Sequence, residues 1–374
     1  LVRAPTCESR QALLRLAMLW VDKHRPKKLD DLDYHSDQAQ ALKRMVGAGD
    51  LPHTLLYGPS GAGKKTRIMC MLREVHGASV ERLKVEQRTF KRPNGGQDIE
   101  LTIVSSNHHL EFNPSDAGIR DREVVQEVIK EVASNGPVLV GGANDGKPKY
   151  KVIVLNEVER MSKPAQHALR RTMEKYVASC RLILCCTNPS KVIAPIRSRC
   201  VCLRVAAPSQ DEICSVLTTV AKKEGLRLPP PLAVRIAQAS QRNLRRAILT
   251  LEACKVQQMP LTETQPVELP DWQIFLGGVA DDVIQEQSPR RLLAVRGKLY
   301  EIFANCIPAE LIMRTLVQAL LAKTPPPVGM EALHFATVYE HRMQAGSKPI
   351  FHIEAFLARF MSIYKKFAVQ HFGK

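Results

Sequence analysis

The nine residues Gly58-Pro59-Ser60-Gly61-Ala62-Gly63-Lys64-Lys65-Thr66 follow a short apolar run, Leu55 to Tyr57, and open a helix-like pattern that continues to about Leu72. Glycines at this spacing let successive backbone N–H groups converge on a triphosphate, with Lys64 as a point charge and a helix N-terminus adding its dipole. The position after Lys64 ordinarily carries a Ser or Thr hydroxyl that ligates Mg²⁺. Here it is Lys65, and Thr66 comes one position late. Further along, Val152-Ile153-Val154-Leu155 runs into Asn156-Glu157, which has the form of a metal-holding strand whose first acid is an amide instead. Glu157 stands where a carboxylate would activate water. Both replacements fall on one task, because Mg²⁺ needs anionic or hydroxyl oxygen ligands while phosphate cradling needs neither. The sequence therefore predicts a site that binds ATP or ADP, coordinates Mg²⁺ weakly with Thr66 as its candidate ligand, and hydrolyses poorly.

A second group of residues is cationic. Residues 160–204 hold ten Lys or Arg and a single acid, Glu174, so this segment carries more than half of the formal net charge of +17. That charge, from 54 Lys and Arg against 37 Asp and Glu, favours a polyanionic partner such as nucleic acid or nucleotide. A solvated helix face could absorb part of it. Arg197-Ser198-Arg199-Cys200, however, falls at a strand edge, where a guanidinium could reach the γ-phosphate of a neighbouring subunit as an arginine finger.

The elements that must position these groups are legible as patterns. A chain of 374 residues is long enough for two or three domains with real cores. No apolar run approaches the roughly 18 residues of a membrane span, so a membrane-spanning helix is not expected. The ten cysteines form neither a CxxC pair nor a zinc-spaced ladder, and several sit in apolar runs such as Leu182 to Cys186. This predicts buried, reduced thiols in an intracellular protein. Apolar runs at Leu55 to Tyr57, Leu101 to Ser105, Val152 to Leu155, Leu182 to Cys186 and Val201 to Val205 alternate with helical patterns. They predict an α/β layer with a parallel sheet. Ala165, Ala168, Leu169, Thr172, Met173 and Tyr176 share one helical face, with Arg170, Arg171, Glu174 and Lys175 opposite.

Residues 135–149 read as a surface loop, and Ser209 as the cap of a helix starting near Asp211. Helical pattern then runs to about Val256, interrupted by Pro229-Pro230-Pro231, and resumes after a proline-bearing linker, Met259 to Pro270, with a break at Pro325-Pro326-Pro327. Residues 1–17 carry Arg3, Arg10 and Arg15 against Glu8. They read as an extension upstream of Met18 in preference to an Arg-rich transit peptide.

Taken together, the segments Leu19-Trp20-Val21-Asp22-Lys23-His24-Arg25-Pro26, Gly58 to Thr66, Asn113-Pro114-Ser115-Asp116-Ala117-Gly118, Ala165 to Tyr176, Ile196-Arg197-Ser198-Arg199-Cys200 and Arg242-Asn243-Leu244-Arg245-Arg246 resemble the clamp-loader subunits of the AAA+ ATPases. The resemblance runs from Met18 into the C-terminal region, and Lys65 belongs to the pattern of one of these subunits. It implies an AAA+ core over 18–206, a helical lid over 207–265 and a helical collar over 266–374, with 1–17 outside the fold. Val21, Arg25 and Pro26 would then lie against adenine and Thr187 or Asn188 would be the first sensor, although the expected Cys-Asn pair reads Cys186-Thr187-Asn188. Arg245 would be the second sensor, and Arg199 would act in a neighbour's site. The resemblance also implies a nuclear complex with four other subunits that opens a ring-shaped sliding clamp and places it on primer-template DNA, with ATP turnover by the assembly and little by the isolated chain. Arg120 and Arg122, beside the Asn113–Gly118 segment, are candidate DNA phosphate contacts. The competing readings are an autonomous AAA+ motor such as a branch-migration helicase, against which Lys65 and Asn156 argue, and a nucleic-acid module that kept a P-loop, which leaves Arg199 unexplained.

Overall fold

The computed structural model describes residues 18–47, 51–90, 99–134, 150–177 and 179–373. The 1–17 extension, Cys7 and the 135–149 loop lie outside the described residues. The chain divides into two compact units, one running to Val267 and the other Glu268–Lys374.

The first unit opens with α1 (Trp20–Lys23) and α2 (Ser36–Gly47), then β1 (Thr54–Tyr57), α3 (Lys64–His76), β2 (Lys84–Phe90), β3 (Ile99–Ser105), β4 (His109–Phe112) and α4 (Asp121–Ser134). It continues with β5 (Lys151–Leu155), α5 (Lys163–Lys175), β6 (Cys180–Cys186), α6 (Ala194–Arg197) and β7 (Val201–Arg204). The sheet order is β2-β3-β4-β5-β6-β1-β7. From β4 to β7 every pairing is parallel, whereas β2–β3 and β3–β4 are antiparallel. The expected parallel sheet is present over five strands, and β2 and β3 extend it antiparallel at one edge. The two strands that sequence reading missed have physical reasons to hide. β2 places Lys84, Glu86 and Arg88 on an edge and is mostly exposed, and β4 is four buried residues of which two, His109 and Glu111, are polar.

Successive strand residues point to opposite faces of a sheet, and each face has its own core. Leu55, Ile153, Leu155, Leu182 and Leu184 pack with Val125, Val128 and Ile129 of α4 and Leu169 of α5. Leu56, Val152, Val154 and Ile183 pack with Ile68, Met71 and Leu72 of α3. On α5, Ala165, Ala168, Leu169 and Met173 are buried, while Arg171, Glu174 and Lys175 are exposed, as the spacing predicts. Ser162 caps that helix, and the buried Asp121 carboxylate accepts from the Ser162 N–H and hydroxyl at 2.6 and 2.8 Å, fixing the starts of α4 and α5 together.

Three helices follow: α7 (Gln210–Lys223), α8 (Pro230–Ala239) and α9 (Leu244–Gln257). Ser209 and Glu212 form a reciprocal capping box on α7. The helical pattern breaks as expected between Lys223 and Pro230, and Pro230 and Pro231 occupy the first turn of α8, where a missing N–H costs nothing. The core of this bundle includes Ile213, Leu217, Ile236 and Leu251, and also Trp20 and Tyr34 from the start of the described chain. The Trp20 backbone N–H donates to Glu252 Oε2 at 3.1 Å, and the Trp20 ring lies under the Lys255 ammonium at 4.8 Å. Glu224, at the end of α7, holds Lys23 and His24 at 2.6 and 2.5 Å. The α1 segment is therefore docked on α7 and α9.

The second unit consists of α10 (Asp271–Gln285), α11 (Pro289–Ala304), α12 (Ala309–Lys323), α13 (Pro326–Ala345) and α14 (Pro349–Phe372), around Leu299, Leu316, Phe356, Leu357 and Phe360. The break expected at Pro325 to Pro327 is likewise present, with α12 ending at Lys323 and α13 starting on Pro326. No described helix is long and apolar enough to cross a membrane. The described cysteines are free thiols; Cys70, Cys180, Cys186 and Cys254 are buried, but Cys202 and Cys306 are exposed, against expectation.

Trp20→Ala should remove the anchor of α1 at a cost of about 3–5 kcal/mol, read as a lower urea midpoint by circular dichroism. An unchanged midpoint would show that the segment does not depend on this contact.

Candidate nucleotide-binding cleft

The loop between β1 and α3 emerges at the carboxyl edge of the parallel strands, where open α/β sheets place their ligands. Its conformation is set from behind. The Ala62 carbonyl accepts from the Tyr34 hydroxyl at 2.9 Å and from Arg67 Nη1 at 3.4 Å. Arg67 is fully buried, donates through Nη2 to the Tyr34 carbonyl at 3.1 Å, and stacks its guanidinium 4.6 Å from the Tyr34 ring centroid. In a trans peptide the N–H points opposite to the carbonyl, so fixing the Ala62 oxygen inward turns the Gly63 N–H outward.

Two glycines are required by geometry. Gly61 has φ +74°, and a Cβ there would lie 1.8 Å from the Asn243 side chain; Gly63 has φ +80° and the Tyr34 hydroxyl 2.3 Å from the same position. Asn243 is the N-cap of α9, accepting from the Arg246 N–H at 3.1 Å, so the loop and the lid meet at Gly61. Lys64 is folded onto the loop, donating to the Gly58 and Pro59 carbonyls at 2.7 and 2.9 Å. A phosphate would have to draw it away from them.

In front of the loop is a cleft of about 710 Å³. It brings together Val21, Arg25, Pro26, Ser60, Gly61, Gly63, Lys64, Lys65, Thr66 and Arg245 among the sequence-predicted residues. Val216, Val220, Leu244 and Ile248 give it an apolar wall on the lid side, and Lys23, Lys27 and Lys223 add cationic charge. An apolar slot opening onto a cationic, N–H-lined loop suits a flat base joined to a polyphosphate. Arg25 is held by Asp22 at 2.5 Å, and the Pro26 carbonyl accepts from the Cys70 thiol at 3.4 Å. Burial pushes the Cys70 thiol up to about 11, so it remains protonated as a donor.

The other predicted residues are not on the lining. Gly58, Pro59 and Ala62 form the loop's base, with Gly58 N–H bonded to the Cys186 carbonyl at 3.3 Å. Glu157 has left-handed backbone, φ 50°, and pairs with Arg160 at 3.0 Å. The Thr187 hydroxyl and N–H both donate to Glu159, at 2.5 and 2.9 Å, while Asn188 caps the short turn Pro189–Lys191. Arg199 is half-exposed, with Nε 2.7 Å from Glu174 and Nη1 2.9 Å from the Pro195 carbonyl. Arg120 ends the Pro114–Arg120 turn and Arg122 is exposed on the first turn of α4, away from the cleft lining.

The structure adds an acid that sequence reading overlooked. Glu111 on β4, nearly buried, meets Lys65 Nζ at 2.6 Å and accepts from Asn156 Nδ2 at 2.7 Å through the same oxygen, Oε1. A charged residue flanked by Leu110 and Phe112 in a buried strand is the signal that could have exposed it. The residues do not fit a Mg²⁺ centre. The two positions that would supply its oxygens hold an ammonium and an amide N–H donor, and both are turned onto the carboxylate that could otherwise bind metal.

Gly61→Ala should weaken binding of a fluorescent nucleotide about tenfold or more, since a strained φ alone costs about 1–3 kcal/mol. Gly61→Ala combined with Asn243→Ala should recover only the part due to the clash. Full affinity in the single variant would show that the loop tolerates a side chain where the lid meets it.

Profile comparison matches residues 272–368 to a domain described as replication factor C subunit 3, C-terminal domain. Residues 215–256 match an RCF1/5-like AAA+ ATPase lid domain, and residues 34–209 a domain described as DNA polymerase III, delta subunit. Replication factor C subunit 3 of Arabidopsis thaliana is 54% identical over 95% of this chain and 100% of its own length. The Homo sapiens protein of the same name is 53% identical over 93% and 97%, and replication factor C subunit 5 of Oryza sativa 54% over 95% and 100%. Among solved structures, the RuvB Holliday junction branch migration motor of Thermotoga maritima aligns over 74% of this chain and 85% of its own, at 17% identity and TM-score 0.48, too remote to argue from. With identity above half across nearly all of its length, and with an AAA+ lid and the characteristic C-terminal helical domain, the chain belongs to the replication factor C subunit 3 family.

Proposed function

We propose that this chain is a subunit of the DNA clamp loader, in which it binds nucleotide, turns it over slowly or not at all, and lends Arg199 to the ATP site of a neighbouring subunit. The observation that carries the reading is the contrast within one cleft. The phosphate loop is complete and buttressed, whereas the metal-holding pair is Lys65 and Asn156, tied to Glu111. A motor acting alone needs a metal-competent site of its own, so the branch-migration alternative is disfavoured.

In this reading the helical unit from Glu268 onward joins four other subunits in a ring in the nucleus, and the assembly uses ATP to open a sliding clamp and place it on primer-template DNA. Val21, Arg25 and Pro26 border the base, Arg245 reads the phosphates from the lid, and Thr187 or Asn188 stands as the first sensor. Thr187 would reach nucleotide only by leaving Glu159. Glu157 is vestigial, held by Arg160. Arg120 and Arg122 are the candidate contacts to DNA phosphates, with the cationic segment 160–204 adding a favourable field.

In the reconstituted assembly, Arg199→Ala should lower the turnover contributed by the neighbouring site by about 10³-fold, the usual worth of an arginine finger. Nucleotide binding by this chain should stay unchanged in a fluorescence titration. Brisk turnover by the isolated chain, indifferent to Arg199→Ala, would favour the autonomous motor instead.

A further inference from the structure

A P-loop site of the ordinary kind holds its metal between the hydroxyl after the loop lysine and an acid at the end of the adjoining strand. In this chain those two positions, Lys65 and Asn156, are joined by a protein contact instead. Glu111 Oε1 lies 2.6 Å from Lys65 Nζ and accepts from Asn156 Nδ2 at 2.7 Å. Sheet register builds the arrangement: Glu111 pairs with Val154, Phe112 with Leu155, and the Asn156 N–H continues the ladder by donating to the Phe112 carbonyl at 3.1 Å. Glu111 is 5% exposed, so its carboxylate has little water to fall back on and is held by these partners. Lys65 lines the cleft and its side chain is half-exposed. An ammonium has three N–H donors, of which Glu111 engages one, leaving the others for phosphate oxygens.

We propose that this cleft takes nucleoside di- or triphosphate free of divalent metal, with the Lys65 ammonium, positioned by Glu111 and Asn156, as a built-in counter-cation for the polyphosphate. The inference rests on the nucleotide-binding reading above and deepens it. A fixed single positive charge replaces a mobile double one. The same charge repels a metal ion approaching with the ligand. Glu111 is a positioning residue: it sets where Lys65 stands and does not itself touch phosphate, which its charge would repel.

The test is a titration of the full chain with fluorescent ADP and ATP analogues, once with Mg²⁺ and once with excess EDTA, accompanied by Mn²⁺ electron paramagnetic resonance. The expected result is a Kd that differs less than about threefold between the two media and no Mn²⁺ retained with the nucleotide. Lys65→Met should weaken binding in EDTA by about tenfold. Glu111→Gln should shift the Kd while leaving the circular dichroism melt in place, and Glu111→Asp should recover part of the affinity. The double variant Lys65→Thr with Asn156→Asp should acquire a Mg²⁺ dependence of tenfold or more and bind Mn²⁺. A tenfold loss of wild-type affinity in EDTA, or stoichiometric Mn²⁺, would overturn the inference and leave the nucleotide reading intact. No binding in either medium would overturn both.

Discussion

The peptide between Ala62 and Gly63 is the constraint on which the site depends. Its carbonyl is pinned from the interior by Tyr34 and Arg67, so its N–H is committed to the cleft before any ligand arrives. A loop free to turn over would lose this orientation on binding and repay it from affinity. The arrangement joins parts far apart in sequence. Tyr34 also belongs to the apolar cluster of the lid helices, and Arg67 lies in the first turns of α3. Arg67 brings a full positive charge to the back of the loop, where burial leaves its field poorly screened.

The front of the loop shows how the two positions that hold metal in an ordinary P-loop site can be replaced without loss of order. Lys65 and Asn156 would each be unfavourable next to Mg²⁺, yet neither is left unsatisfied, because β4 presents Glu111 between them. A buried carboxylate without such partners would be strongly destabilising. The replacements are therefore coupled, and single reversions should disturb the site more than a joint one. The acid that remains in the usual strand-end position, Glu157, is held by Arg160 on a left-handed turn instead of facing the cleft lining.

The loop, β5, β6 and α5 were legible in the sequence because each is local. Glycine spacing, runs of β-branched and aliphatic residues, and a 3.6-residue stripe are all contained in short windows. What escaped was non-local or polar. Glu111 meets Asn156 only through the pairing of β4 with β5, and β4, half of it polar, lacks the continuous apolar run that announces a buried strand. Trp20 finds Glu252 across almost the whole first unit, so nothing near Trp20 in sequence marks the helix it packs on. The proline clusters were legible as breaks for a local reason too: one helix ends before each, and Pro230 and Pro326 occupy the first turn of the next, where a fixed φ and a missing N–H are favourable.

Arg199 makes the same point about charge kept in reserve. Its guanidinium is neither buried nor free to wander. Glu174 holds Nε and the Pro195 carbonyl holds Nη1, with both charged side chains well exposed to water. An exposed pair of this kind contributes about 0–1 kcal/mol, enough to limit the orientations the side chain samples. It is also weak enough to be exchanged for a phosphate oxygen at little cost. A buried pair would hold the arginine more firmly and then surrender it only against the penalty of an unpaired carboxylate. For the role proposed for Arg199 in a neighbouring site, the exposed arrangement is the one that can be given away.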